Sequence, residues 1–462
     1  MLGNNSVLKR VHMIGIKGAG MAALAVILKK HGITVCGSDV TEHFFTDALL
    51  EKEHIVIENF LQHDIHEGID AIIYSTAYPI DHPERIAATT YHVPSYSYPE
   101  ALAMFFNTSF GIAVSGSHGK TTTTGMLTYV FSRLGTNPTA LVGSEVRQLG
   151  TNALVGSSEY FILEADEYQN KFLLYDPKII LITNIDYDHP DFFKTLEEYV
   201  QAFRLFVERV KDGIIIANWD DPYIRSIVAS HPGAHVITYG SHEKCDYRMR
   251  DCRIEEGVTR YSIDTRSDST IDMSLNLLGC HNAQNATAVF ALCQTLFPER
   301  CVDIRNAICE FEGTKRRFEV MGQIGTTLVI DDYGHHPTEI KETLKAARQR
   351  FSGKNIWCVF GPHTFSRTEK LFDEFASSFS AIDAVYVLDI YTSAREKTGN
   401  ITSQDLVDRM NMYGINAHYA GSKERAVEFL KPHLSEIDIL ITIGAGDVWR
   451  VGENILYGKT PF

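Results

Sequence analysis

Short apolar runs alternate along nearly the whole chain with longer stretches whose apolar positions recur every three or four residues, a pattern of strands followed by helices. Residues 11–15 read as a strand, 21–30 as a nearly all-apolar helix stopped at Gly32, and 34–36 as a second strand ending at Gly37-Ser38-Asp39. That is one βαβ unit. Strands follow at 71–74 and near Val93; a second series begins with a strand at 110–114 and a helix at 126–134. It continues through strands at 160–163, 178–183 and 213–217. From about 246 to 278, short alternating runs predict antiparallel strands on a flank, closed by a helix at 281–296. Strands at 328–330, 356–360, 384–388, 417–419 and 437–443, with helical patterns between them, predict a complete doubly wound domain. The class is α/β, with parallel sheets covered by helices. No internal repeat or low-complexity tract interrupts it.

Length turns this pattern into domains. A chain of 462 residues is too long for one ordinary core, and about 150 residues per domain predicts three. The boundaries are expected near 106 and Gly313, giving domains 1–105, 106–313 and 314–462. A formal charge of −15 speaks against a nucleic-acid or anionic-membrane partner, because such binding needs a basic surface. No window is apolar for long enough to span a bilayer. The eight cysteines form no C-x-x-C pair and the N-terminus has no long apolar core, so reduced thiols and a cytoplasmic location are expected.

Candidate chemistry gathers where strands end. Between the strand at 110–114 and the helix after it lies Gly116-Ser117-His118-Gly119-Lys120-Thr121-Thr122-Thr123-Thr124. Glycines there let backbone N–H groups face a phosphate, the helix N-terminus adds partial positive charge, Lys120 neutralises phosphoryl oxygens and a threonine hydroxyl can hold Mg²⁺. It is a compact G-x-x-G-K-T loop, since the eight-residue consensus would put its first glycine at Val114. Gly15-Ile16-Lys17-Gly18-Ala19-Gly20 opens the first helix, with Asp39 at the next strand end and Ser75-Thr76-Ala77 after a later strand. Its G-x-x-G-x-G order leaves open whether a dinucleotide or another diphosphate-bearing nucleotide binds there. Glu164-Ala165-Asp166-Glu167 gathers three acids that call for a cation or water. Thr183-Asn184-Ile185-Asp186-Tyr187-Asp188-His189 follows the next strand, where His189 could coordinate a second Mg²⁺ or orient a carboxylate. Asn282 and Asn285 share one helix face. Arg316-Arg317 and Asp331-Asp332-Tyr333-Gly334-His335-His336-Pro337 cluster at the second boundary.

Taken together, these segments with Arg317-Phe318 and the run from Asp331 to Glu339 resemble the Mur ligases, ATP-dependent amide-forming enzymes of peptidoglycan synthesis, from about Val11 to Asp447. Gly150-Thr151-Asn152, Pro362-His363 with Arg367-Thr368, and Gly444-Ala445-Gly446-Asp447 add to the match. The resemblance implies a Rossmann-like N-terminal domain binding a UDP substrate, a central P-loop-type ATPase domain with a mixed sheet, and a doubly wound, Rossmann-like C-terminal domain bringing the amino acid. It implies that L-alanine is joined to the carboxylate of UDP-N-acetylmuramate through an acyl phosphate, with ATP consumed and Mg²⁺ bound.

Carried over residue by residue, the resemblance gives Lys120, Glu164, His189 and Arg317 catalytic roles. Gly116, Ser117, His118, Gly119, Lys120, Thr121 and Thr122 would hold the phosphates of ATP, with Asp332 and His335 reaching across the boundary. Asn282, Asn285 and His281 would meet adenine. Thr121 and Glu164 would bind one Mg²⁺ and His189 another. Gly18, Ala19, Gly20, Met21, Asp39 and Ser75 would hold the UDP end, Thr151 and Asn152 the muramyl end, and His363 with Arg367 the amino-acid carboxylate. Departures from many alanine-adding relatives stand at Thr364 in place of arginine, Tyr168 in place of serine, and Lys17, which puts a charge near the expected diphosphate. A monomer or weak homodimer is expected. The alternatives are a ligase adding the tripeptide L-Ala-γ-D-Glu-diaminopimelate, an NAD(P)-dependent oxidoreductase built on the first glycine loop, and a noncatalytic nucleotide-binding regulator.

Overall fold

The structure, a computed structural model, describes residues 8–458 apart from 43, 45, 61–64, 66–67, 232, 268, 393–395 and 397. Each of the three expected α/β units is built on its own sheet. The first sheet is parallel throughout and runs Val56–Asn59, Thr34–Asp39, Arg10–Ile14, Ala71–Tyr74, Ser95–Ser97. Its order reverses between the strands Arg10–Ile14 and Ala71–Tyr74, the place where open α/β sheets leave a crevice beyond the carboxyl ends. The glycine loop sits there. The helix Ala19–Lys30 leaves that loop, and Met21 through Leu28 are all buried because the helix lies between its own sheet and the strands Thr139–Val146 and Thr151–Leu154 of the second. A helix enclosed on all sides must be apolar all round, which explains its composition.

Among the described residues the second sheet has ten strands. Its parallel centre places Phe110–Ser115 between Ile179–Ile182 and Tyr160–Glu164. Both faces of this centre are covered, so Ile112, Val114, Ile162, Ile180 and Leu181 are apolar without alternation and fully or almost fully buried. One end carries the antiparallel ribbon Tyr247–Glu255, Val258–Asp264, Thr270–Leu275, and the other the antiparallel pair Thr139–Val146 and Thr151–Leu154. Parallel strands pointing the same way bring the phosphate loop, the acidic run and the segment ending at His189 to one edge. The third sheet runs Glu319–Ile324, Thr327–Asp332, Ile439–Ile443, Ile356–Phe360, Ala384–Leu388, Ala417–Gly421, parallel except for its first pair.

One expectation is corrected. The thiols are not all free, since Cys252 and Cys280 form a disulfide. They are 28 positions apart in sequence and no local spacing reveals them; the ribbon folding back on the helix Cys280–Leu296 makes them neighbours. Lys17 donates from Nζ to the carbonyls of Val40 at 3.0 Å and Glu42 at 2.8 Å, with Asp47 at 3.7 Å, so its charge has partners within the protein.

Candidate active site

The chain after Ser115 bends at Gly116 and Gly119 and enters the helix Lys120–Arg133. Gly119 caps that helix with φ +81, and a Cβ there would lie 2.9 Å from the Asn285 side chain, so both backbone conformation and space call for glycine. Lys120 curls its ammonium back over the loop, donating to the carbonyls of Gly116 and Ser117 and lying 2.8 Å from Glu167 Oε2. Burial opposes its charge, but Glu167, Asp166 and Glu164 outweigh that and hold it above the usual lysine range. Thr121 donates to Glu164 Oε1 at 2.8 Å, and the Gly143 N–H to Oε2 at 2.6 Å. Burial nonetheless pushes the Glu164 carboxyl up, the behaviour of a group that a cation would relieve.

Glu167 is fully buried and also accepts from Tyr199, whose hydroxyl meets Ser117 at 2.8 Å. His189, at φ +56, brings Nε2 to 3.8 Å from Glu167. Asp166, Glu167 and His189 place one ligand atom each within 4.8 Å of one another. The expected metal set is thus split in two: Thr121 with Glu164 on one side of Lys120, and His189 with Asp166 and Glu167 on the other. Tyr168 lays its ring on His189, centroids 4.6 Å apart, and anchors its hydroxyl on Asp191 at 2.6 Å.

A cavity of about 840 Å³ opens beside the loop, between the central sheet, the helix Cys280–Leu296 and the start of the third unit. Gly119, Asn282, Asn285, His281, Arg317 and Asp332 all line it. Asn282 spends its amide N–H on the Leu278 carbonyl at 2.7 Å. Asp332 accepts from the N–H groups of Phe318 and Gly334, and burial pushes its carboxyl up to about 6. His118 also lines the wall and spans the two units, with Nε2 3.0 Å from Asp186 and Nδ1 3.5 Å from Glu339. Burial works against its charge, but both carboxylates raise it to about 9. His335 stands outside the wall, against Glu339 and Asp188, and burial lowers it to about 3, so its imidazole is neutral.

Arg367 is nearly as buried as its partner Asp188, to which Nε donates at 2.8 Å. Burial alone would raise the Asp188 carboxyl, but the guanidinium holds it well below the usual range. His363 stacks on Tyr391, its Nδ1 has no hydrogen-bond partner among the described residues, and burial lowers it to about 4.

In the first unit, Gly15 takes φ +78 with Ser75 packed against it, and its N–H donates to the Ser38 carbonyl. Asp39 holds the Lys17 N–H at 2.7 Å and the Tyr78 hydroxyl at 3.2 Å. The start of the helix at Ala19–Gly20 meets the second unit where the Asn152 amide reaches the Ala19 carbonyl at 3.4 Å, while Tyr98 of the first unit packs on Gly20. Met21 is buried, and Thr151, the first residue of its strand, donates its hydroxyl to the Ala153 carbonyl at 3.0 Å. The helix that follows the first glycine loop therefore docks on the strands Thr139–Val146 and Thr151–Leu154 of the second unit.

Sequence reasoning assigned no role to Glu167, Glu339, Tyr199 or Tyr98. Glu167 and Glu339 each stand in a run singled out for its chemistry, and acid count was the available signal. Glu339 collects Arg317 and His118 at 3.5 Å and the His335 N–H at 3.0 Å. Tyr199 lies in the first turn of the helix Leu196–Val207 and has no signal in the sequence.

Three family models match the chain: the Mur ligase family catalytic domain over residues 10–109, the Mur ligase middle domain over 114–293, and the Mur ligase glutamate ligase domain over 316–446. A UDP-N-acetylmuramate–L-alanine ligase of Desulfitobacterium hafniense (strain Y51) is 40% identical over 450 residues, 96% of this chain and 99% of the relative. One of Caldanaerobacter subterraneus subsp. tengcongensis is 38% identical, with 97% of each covered. Among solved structures, the UDP-N-acetylmuramate-alanine ligase of Thermotoga maritima superposes with a TM-score of 0.80 at 26% identity, covering 97% of this chain and 98% of that one.

Proposed function

The chain belongs to the Mur ligase family, and from that premise we propose that it joins L-alanine to the carboxylate of UDP-N-acetylmuramate with conversion of ATP to ADP and phosphate, in peptidoglycan precursor synthesis. The domains act as residues 1–105 for the UDP substrate, 106–313 for ATP and 314–462 for the amino acid, and the enzyme works in the cytoplasm as a monomer or weak homodimer. The observation that carries this reading is the buried cationic Lys120, 2.8 Å from Glu167 and next in the chain to Thr121 with its partner Glu164, beside a cavity shared by the second and third units.

The reaction must bring two anions together, the sugar carboxylate and the γ-phosphate of ATP. Lys120 gives up its internal partners Gly116, Ser117 and Glu167 and lies along the phosphate oxygens, with the N–H groups of the loop supporting it. Arg317 reaches the same phosphates from across the cavity. The carboxylate oxygen bonds to the γ-phosphorus, ADP leaves, and an acyl phosphate remains. The amine of L-alanine, held through its carboxylate by Arg367 and His363, then attacks the acyl carbon; phosphate departs and the amide forms. The acyl phosphate is open to hydrolysis, so the third domain must exclude water while it exists.

The residues fit Mg²⁺, a hard cation that prefers oxygen ligands: Glu164 with Thr121 would hold one ion, and His189, Asp166 and Glu167 stand where a second would sit. Bound there, Mg²⁺ supplies positive charge against the phosphate oxygens.

Phosphate release in the presence of ATP, Mg²⁺, UDP-N-acetylmuramate and an amino acid tests the proposal. Release is expected with L-alanine and to be absent when any one component is left out. Turnover with L-Ala-γ-D-Glu-diaminopimelate and none with L-alanine would overturn the acceptor.

A further inference from the structure

The disulfide lies on the rim of the cavity. Cys280 is one of its lining residues, next to His281 and Asn282, and is the first residue of the helix Cys280–Leu296. Cys252 reaches it from the ribbon, Cα to Cα 5.9 Å. The strand Tyr247–Glu255 does not run regularly there. Its pairing shifts between Arg250 and Arg253, so that Asp251 and Cys252 together oppose the single residue between Ser262 and Arg260, and Asp251 takes φ +54. A bulge of this kind re-aims a side chain, here toward the helix start. Without the cross-link, the ribbon's hold on that start includes one hydrogen bond, the Gly279 N–H to Thr259 Oγ1 at 3.0 Å.

Among the chain's eight cysteines Cys280 alone is exposed, Cys252 being half-buried. Its place at the N-terminal end of a 17-residue helix favours an anionic sulfur, the nucleophile in disulfide exchange. The turn it opens carries Asn282 and leads to Asn285, and Asn285 packs directly on Gly119 of the phosphate loop.

We propose that Cys252 and Cys280 are a reversible thiol–disulfide site that sets nucleotide affinity by fixing the helix turn between the ribbon and the phosphate loop. The proposal rests on reading the cavity as the nucleotide site. The oxidant is a low-molecular-weight disulfide of the glutathione type. The Cys280 thiolate attacks one of its sulfurs and releases one thiol; the Cys252 thiolate then attacks the Cys280 sulfur and releases the second. The two protons lost by the cysteines end on the two released thiols, and two attacks by such thiols reverse the change. With the bond closed, the turn bearing Asn282 is ordered before nucleotide arrives. With it open, binding must order that turn, and affinity falls.

The test equilibrates the full-length protein with graded ratios of reduced and oxidised glutathione, traps free thiols by alkylation and weighs the peptides. Calorimetry then measures Mg²⁺·ADP binding to the oxidised and reduced forms and to Cys252→Ser and Cys252→Ala. The pair is expected to interconvert across the ratios. The oxidised form is expected to bind ADP about three- to ten-fold more tightly, and both variants to match the reduced form whatever the oxidant. A pair that stays in one state at every ratio, or oxidised protein binding ADP equally or less tightly, would overturn the proposal. Loss of ADP binding in every form would instead remove the nucleotide reading, and this proposal with it.

Discussion

Lys120 is held by its own protein before any phosphate reaches it, and that self-neutralisation defines what its removal does. Lys120→Ala takes the cation from between Glu164 and Glu167, so turnover is expected to fall at least ~100-fold in the phosphate-release assay; near-normal rates would refute its role. His118 makes a second prediction. Its folded value of about 9 lies above the ordinary 6.5, so the stability it contributes is complete below about pH 6.5 and is lost as pH rises toward 9. The loss is on the order of 3 kcal/mol at most. Denaturant unfolding at pH 6.5 and 9 should show it, and His118→Asn should abolish most of that difference. Lys120, Glu164 and Asn285 were legible in the sequence because each belongs to a short segment whose spacing has a chemical meaning. Glu167 and Glu339 were not, because their importance comes from partners far along the chain.

The helix Lys120–Arg133 depends on a left-handed residue at its start, which a side chain resists on two counts. Gly119→Ala meets both the φ of +81 and the Asn285 amide 2.9 Å away. A cost of about 1–2 kcal/mol in stability is expected, with a raised KM for ATP; an unchanged melting temperature and KM would show that the loop relaxes freely. Strands buried on both faces were readable as continuous apolar runs, and Ile356–Phe360 and Ala384–Leu388 fall where the pattern put them. Thr139–Val146 and Glu319–Ile324 escaped, the first because Gly143, Ser144 and Glu145 break its apolar run, the second because it is a half-exposed edge with Gly322 and Gln323. The phosphate-loop helix begins six residues before the apolar pattern does, since its first turn is threonine, buried against the neighbouring strands rather than exposed.

Across the molecule, the second and third units are joined by polar ties: Arg367 to Asp188, Thr338 to Asp186 at 2.7 Å, and His118 to Glu339. Arg367→Leu leaves Asp188 buried without its cation, a change that typically costs about 3–5 kcal/mol. Faster amide hydrogen exchange in the segment around His189, with a raised KM for L-alanine, is expected; protection equal to that of the parent would show that the pair is dispensable. No such tie is visible in the sequence, because each joins residues more than a hundred positions apart. The Arg367–Asp188 pair has one more consequence. On the role proposed for Arg367, the protein fills the receptor for the acceptor's acid group with a decoy of its own, and each incoming amino acid would have to evict a tenant already in place. Such an exchange would tune the enzyme to plentiful metabolites: synthesis would track the alanine concentration over a wide range rather than saturate at its low end, and a saturation curve for L-alanine would show it.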